Sequence, residues 1–252
     1  MQKIFLILAI LFGLLSCKTT WNVHEIKTEN IPNSEKITEI DSSIVRLITP
    51  YKNNLSPDMQ QIIGFSTIEL VKAKPESRLT NYLGDLILEE GKIYAKEHTA
   101  AVPDIAYLNY GGLRTDLPKG DITVGKIFEL MPFENEIVLI KISGDNFYAF
   151  IEKIAAEGGD CVSGIKLGIK NGHVGQLTIN GKPFARSSSY WIVTNDYAAH
   201  GGDHLVMFKH PLEYIATGIK FRDCIIEHMK KNYKAGKQIA PELDGRIYKI
   251  SP

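Results

Sequence analysis

Apolar residues recur along this chain in two rhythms, and each rhythm names its elements. From residue 34, Ile37, Ile40, Ile44 and Leu47 or Ile48 return every three or four positions, the stripe of an amphipathic helix, with Asn33-Ser34 as its cap. IIGFSTIEL (62–70) predicts a strand. SRLTNYLGDLILEEGKIYA goes back to helical spacing, with Leu79, Leu83, Leu86, Ile87 and Tyr94 inward. DIAYLN is a short strand that runs into Tyr110-Gly111-Gly112, and EIVLIKIS (136–143) is a β-branched one. Gly144-Asp145 then opens a helix that carries Phe147, Phe150, Ile151 and Ile154.

Further on, Asn171-Gly172 stands between two extended runs, the dipeptide that most strongly marks a tight hairpin, and Asn180-Gly181 gives another turn before Pro183. YWIVTN (190–195) predicts a buried strand. A late helix is expected over about 215–233, presenting Ile225, Met229 and Tyr233, and DGRIYKI closes the chain as a strand. Helices and strands mix without regular βαβ alternation and without repeats. Residues 34–252 therefore read as one mixed α/β domain.

The N-terminus adds a compartment. MQKIFLILAILFGLLSC sets Lys3 before an apolar run from Ile4 to Leu15, too short for a membrane span and followed at once by polar sequence, so residues 1–16 read as a signal peptide. LLSC has the form of a bacterial lipobox, which makes Cys17 the expected acylated residue and 17–33 a lipidated tether. Acyl chains anchor a protein to a bilayer without crossing it. No acidic run follows Cys17, and the expected location is the periplasmic face of the cell envelope.

Charge removes one class of partner. The 252 residues hold 29 Lys and Arg against 29 Asp and Glu, with no basic block, which offers no footprint for a nucleic-acid polymer. Cys161 and Cys224 remain besides Cys17, and two cysteines so far apart in sequence leave their pairing open.

Candidate chemistry concentrates in TNDYAAHGGDH (194–204). His200, Asp203 and His204 suggest a hydrolytic metal, yet the other histidines stand alone, and there is neither an HExxH nor a Cys/His pair at zinc spacing. Ser163 lacks the glycine frame of a nucleophile elbow, and Cys161 and Cys224 have acidic neighbours that raise a thiol pKa. No residue is nominated as a catalyst and no metal ligand is assigned. Three loops instead share a binding composition: LNYGGLR with Asn109 and Arg114, MPFENE with Phe133 and Asn135, and NDYAAHGGD with Tyr197 and Asp203. If they converge, two rings can sandwich a flat base, amides can read its edge, a carboxylate can accept from a ribose diol and Arg114 can face phosphate. The same spacing equally serves core aromatics and plain glycine turns.

These loops carry a resemblance. NYGGLRTDLPKGDITVGKIFELMPFENEIVLIKISGDNFYAFIE, then VSGIKL, INGKPF, YWIVTNDYAAHGGD and DGRI, resemble in order the C-terminal domain of bacterial and animal 5′-nucleotidases, over about residues 35–250. The resemblance implies a four-layer α/β/β/α domain that binds the nucleoside part of a nucleotide. It implies that Phe133 and Tyr197 stack on the base and that Asn109 and Asn135 lie at it. Arg114 is then directed at phosphate and ribose, and Asp203 at the ribose hydroxyls. The family's further arginine before the ESRLTN helix start is absent, with Lys72, Lys74 and Arg78 nearby. The family's metallophosphatase domain, with its two divalent metals, has no counterpart motif in the sequence, so no cofactor is expected in this chain. The expectation is the substrate-binding half of a split 5′-nucleotidase whose partner is a separately encoded metallophosphatase. A free-standing nucleoside receptor and an autonomous phosphohydrolase are the alternatives.

Overall fold

A computed structural model describes residues 23–29 and 41–251, and the chain divides into two units, Met1–Ile48 and Thr49–Pro252. In the first unit, residues 23–29 have no regular structure, and helix α1 (Ser42–Met59) begins there. Asp41 caps it, its Oδ1 accepting from Ser43 N at 2.8 Å and Ser43 Oγ at 2.6 Å. Ile44, Leu47 and Ile48 of the expected stripe are exposed. Cys17, the signal peptide, Asn33-Ser34, Ile37 and Ile40 lie outside the described residues.

The second unit is mixed α/β, as the sequence pattern predicts. Its largest sheet has five strands in the order β10-β4-β9-β2-β5, formed by β2 (Ile105–Leu108), β4 (Glu136–Ser143), β5 (Cys161–Ser163), β9 (Ser189–Asn195) and β10 (Glu213–Lys220). Alternation along these strands builds two cores at once, because successive side chains leave a strand on opposite faces. Ile137 and Leu139 of β4 and Ala106 and Leu108 of β2 point to one face. They pack with Leu79, Leu83 and Ile87 of α2 (Arg78–His98) and with Ile225 and Met229 of α6 (Phe221–Lys234). Val138, Ile140 and Ile142 of β4 and Ile105 and Tyr107 of β2 point to the other face. There they meet Phe147, Phe150, Ile151 and Ile154 of α4 (Gly144–Ala156).

The second core is continued by a four-stranded sheet, β11-β6-β7-β8, made of β6 (Ile165–Lys170), β7 (His173–Ile179), β8 (Lys182–Pro183) and β11 (Ile247–Lys249). Both Asn-Gly turns are tight: Asn171 and Gly172 have φ of 52° and 78°, and Asn180 and Gly181 have 49° and 76°. Strands β1 (Ile62–Ser66) and β3 (Gly120–Thr123) pair separately, and α3 (Val124–Leu130) follows β3 with Thr123 as its cap.

Two sequence expectations are corrected. The strand read over 62–70 ends at Ser66, and Leu70 keeps only an isolated bridge to Leu117. The late helix starts at Phe221, and residues 213–220 form the edge strand β10, where Ile215, Thr217 and Ile219 alternate with period two beside β4. Cys161 and Cys224 are both buried free thiols, and burial pushes the Cys224 thiol up to about 12.

Candidate functional site

Topology brings the three loops to one end of the large sheet. Strands β2 and β9 are parallel neighbours, so their C-terminal ends leave the sheet together. Strand β4 runs antiparallel to β9 with Ile137 opposite Asn195, so the segment entering β4 arrives at the same edge. Asn109 follows β2, Phe133 and Asn135 precede β4, and Asn195 ends β9 and caps the short helix α5 (Asp196–Ala199) with an acceptor 2.7 Å from Ala198 N. A cavity of about 380 Å³ lies among them, lined by Asn109, Arg114, Phe133, Asn135, Tyr197 and Asp203 together with Gly111, Gly112, Met131 and Asn195. All six residues singled out from the sequence therefore border one space.

Neither aromatic is a core residue: Phe133 is 41% exposed and Tyr197 is 46% exposed. Behind Tyr197 the chain turns back so closely that a Cβ on Gly202 would stand 2.4 Å from the ring's Cε1. Only glycine lets the backbone support one face of the ring in this way. The Tyr197 hydroxyl donates to Asp203 Oδ1 at 2.9 Å, and Asp203 N donates back to that hydroxyl at 3.3 Å. Asp203 and His204 follow with φ of 50° and 61°, a left-handed conformation unusual for two consecutive residues with side chains.

Asp203 is held from the far side as well. Asn109 Nδ2 donates to its Oδ2 at 2.8 Å, and Asn195 Nδ2 donates to Asn109 Oδ1 at 3.0 Å. The Asn109 amide is thus engaged by protein at both ends. An ionised carboxylate has about four acceptor positions, so Asp203 keeps capacity for a ligand's hydroxyls after these two bonds. Asp196 joins two loops: its Oδ1 accepts from Asn135 Nδ2 at 2.9 Å, Glu136 N at 3.2 Å and Tyr197 N at 2.9 Å. His200 turns its Nδ1 to the Asp196 carbonyl at 2.7 Å. No group of three His, Cys, Asp or Glu side chains placed to hold a metal occurs among the described residues.

Cations gather on the Arg114 side. The Arg114 guanidinium stands 6.0 Å from the Phe133 ring centroid. Lys72 Nζ donates to the Leu113 carbonyl at 2.7 Å and sits 3.9 Å over the Tyr110 ring. Burial, and then the Arg114 charge, lower the Lys72 pKa, which marks the two cations as neighbours. A second cavity of about 560 Å³ shares Gly111, Tyr197 and Asp203 with the first and has Asp160 and Tyr107 in its wall. Asp160 accepts from Cys161 N at 2.7 Å and from the Tyr107 hydroxyl at 3.3 Å, and burial raises its pKa to about 6.

Sequence reasoning missed Asn195, Asp196 and the buried Asp160. Asn195-Asp196 had one available signal, their position where a buried strand gives way to polar residues, which is where caps and ligand groups collect. Asp160 follows two glycines and carries no pattern of its own.

Comparison with known proteins shows the family and the fold. The family model described as 5′-nucleotidase, C-terminal domain, matches residues 62–210. The trifunctional nucleotide phosphoesterase protein YfkN of Bacillus subtilis (strain 168) is 28% identical over 255 residues, covering 92% of this chain and 16% of that protein. Protein UshA of Escherichia coli (strain K12) is 24% identical, covering 86% of this chain and 39% of its own length. The crystal structure of a 5′-nucleotidase precursor from Thermus thermophilus shares the fold with a TM-score of 0.70 at 24% identity, over 82% of this chain and 43% of that one. The chain thus spans less than half the length of these relatives. With more than half of its residues matched by that model, the chain belongs to the 5′-nucleotidase C-terminal domain family.

Proposed function

We propose that this protein binds a nucleotide by its base and ribose and presents the phosphate to a metallophosphatase carried by a separate chain, the two forming a split 5′-nucleotidase. The observation that carries the binding half of this reading is the pair of exposed rings, Phe133 and Tyr197, on one cavity that also contains Asp203. A base between the rings gains stacking worth about 1–3 kcal/mol per base in comparable sites. Asp203, oriented by Asn109 and Tyr197, accepts from the two ribose hydroxyls. Asn135 gives its amide nitrogen to Asp196, which leaves its amide oxygen for a donor on the base edge. Arg114 and Lys72, close enough that the Arg114 charge lowers the Lys72 pKa, supply positive charge for the phosphate. The divalent metals, which would supply Lewis-acid chemistry, would be held by the partner.

Support for the nucleotide-binding half comes from the match to the C-terminal domain of 5′-nucleotidases. Support for a periplasmic lipid anchor comes from the LLSC sequence ending at Cys17. Isothermal calorimetry of AMP into the protein with Mn²⁺ present tests the reading. The expected trace is a saturating binding heat that weakens by about 100-fold in affinity in Tyr197→Ala. A steady heat of turnover sinks the division of labour, and absence of any heat sinks the ring slot. Addition of a coexpressed metallophosphatase then tests the partnership, which fails if nucleotide kinetics do not change.

A further inference from the structure

The segment that carries Phe133 has no structure of its own. Residues 131–135, between α3 and β4, are neither helix nor strand, so their carbonyl oxygens need partners from elsewhere. Three consecutive residues about ninety positions later supply them. Arg222 Nη1 donates to the Phe133 carbonyl at 3.2 Å, Lys220 Nζ to the Glu134 carbonyl at 3.1 Å, and Phe221 N to the Asn135 carbonyl at 2.8 Å. Arg222 also donates from Nη2 to the Glu134 carboxylate, and its guanidinium lies 3.9 Å from the ring centroid of Phe128 on α3. One planar side chain thus grips the helix before the loop, the backbone at the ring and the residue after it.

Arg222 is buried, and its Nε has no hydrogen-bond partner among the described residues. A buried donor left without a partner costs stability, so an arrangement serving stability alone is poorly explained by it. A demand for position explains it better: the fork and flat face of a guanidinium address several targets at fixed angles, which a lysine's point charge cannot do. We infer that Arg222 is a positioning residue for the base-stacking ring of Phe133, setting the width of the slot through the backbone of residues 133–135. This inference rests on the ring-slot reading above.

The test is a double-mutant cycle on affinity for AMP, read by calorimetry on the full chain, with the thermal midpoint recorded for every variant. Arg222→Met keeps the buried stem and removes the fork. The expected result is an affinity loss of about tenfold that shrinks below about twofold in a Phe133→Ala background and persists in a Tyr197→Phe background. Arg222→Lys is expected to behave as Arg222→Met, because charge alone does not restore the fork. A lowered midpoint with unchanged affinity, or a tenfold loss that survives in Phe133→Ala, overturns the inference. If Phe133→Ala itself leaves affinity unchanged, the ring-slot reading fails, which is a different result. Should Arg222→Met not fold, Glu134→Gln and Lys220→Ala at exposed or half-buried positions take its place in the same cycle, with a smaller loss expected and an unchanged affinity in both counting against the inference.

Discussion

Tyr197 is fixed by its own neighbourhood: its hydroxyl reaches Asp203 six residues on, and Gly202 backs its ring. Phe133 has no hydroxyl and no such backing, and its loop takes its shape from residues 220–222. The two rings line one cavity from opposite kinds of support, one local and one remote. A locally closed loop keeps its geometry when distant parts shift, whereas a tethered one follows whatever holds it. Slot width is thus set mainly from the Phe133 side, and Asp203 is oriented by the Tyr197 hydroxyl together with Asn109.

Mutations that attack each support separately can break or sharpen this contrast. The largest effect is expected from Tyr197→Ala, which removes a stacking face and a donor to Asp203 together. AMP affinity should fall by about 100-fold, and a loss below about threefold would show that the ring does not stack. Gly202→Ala comes next. Its new methyl meets the Tyr197 ring at 2.4 Å, so the ring must move, and affinity should drop about tenfold with the Phe133 loop intact. An unchanged affinity would mean that local backing is dispensable. Tyr197→Phe keeps the ring and deletes the hydroxyl with its two bonds to Asp203, each worth about 0.5–1.5 kcal/mol to stability, so a loss of a few-fold in affinity is expected. Tighter binding in that variant would show that the hydroxyl competes with the ligand for Asp203.

Asp160→Asn touches neither ring loop and should change AMP affinity least, by less than about twofold. Its signature is in stability. The folded pKa is raised from 3.8 to about 6 by burial, so the folded state holds the proton more tightly than the unfolded one. That contribution is full below pH 3.8 and is lost as pH rises through about 6. Asp160→Asn lacks this loss, so its urea midpoint should gain on the wild type between about pH 4 and 7, by up to about 3 kcal/mol in free energy. Parallel pH curves for the two proteins would refute the buried-carboxyl account.

Elements with a strong apolar or turn pattern of their own were legible in the sequence. EIVLIKIS matches β4 end to end, Leu79, Leu83, Leu86 and Ile87 all turn inward, and both Asn-Gly pairs are turns. Strand β10 was hidden because it is an edge strand with mostly exposed or half-buried residues, and its pattern ran straight into a helix. The gathering of the six residues at one cavity was legible through motif resemblance, since residue type alone fitted core aromatics as well. What supports them was not. Asn195, Asp196 and Arg222 act through hydrogen bonds to residues far away in sequence, and a polar residue at the start of a helix gives no period to read.

The parallel pairing of β2 with β9 bears on the order in which this protein is completed during folding. Asn195 reaches Asn109 across 86 positions, Asn109 reaches Asp203 across 94, and Arg222 reaches Phe133 across 89. Contacts of such separation form only after long loops close, whereas helices and Asn-Gly hairpins assemble from near neighbours. Nucleotide binding during refolding should therefore lag behind the recovery of far-ultraviolet dichroism. A nucleotide that recognises only the finished chain then stabilises it by mass action, drawing nearly complete molecules toward the native state.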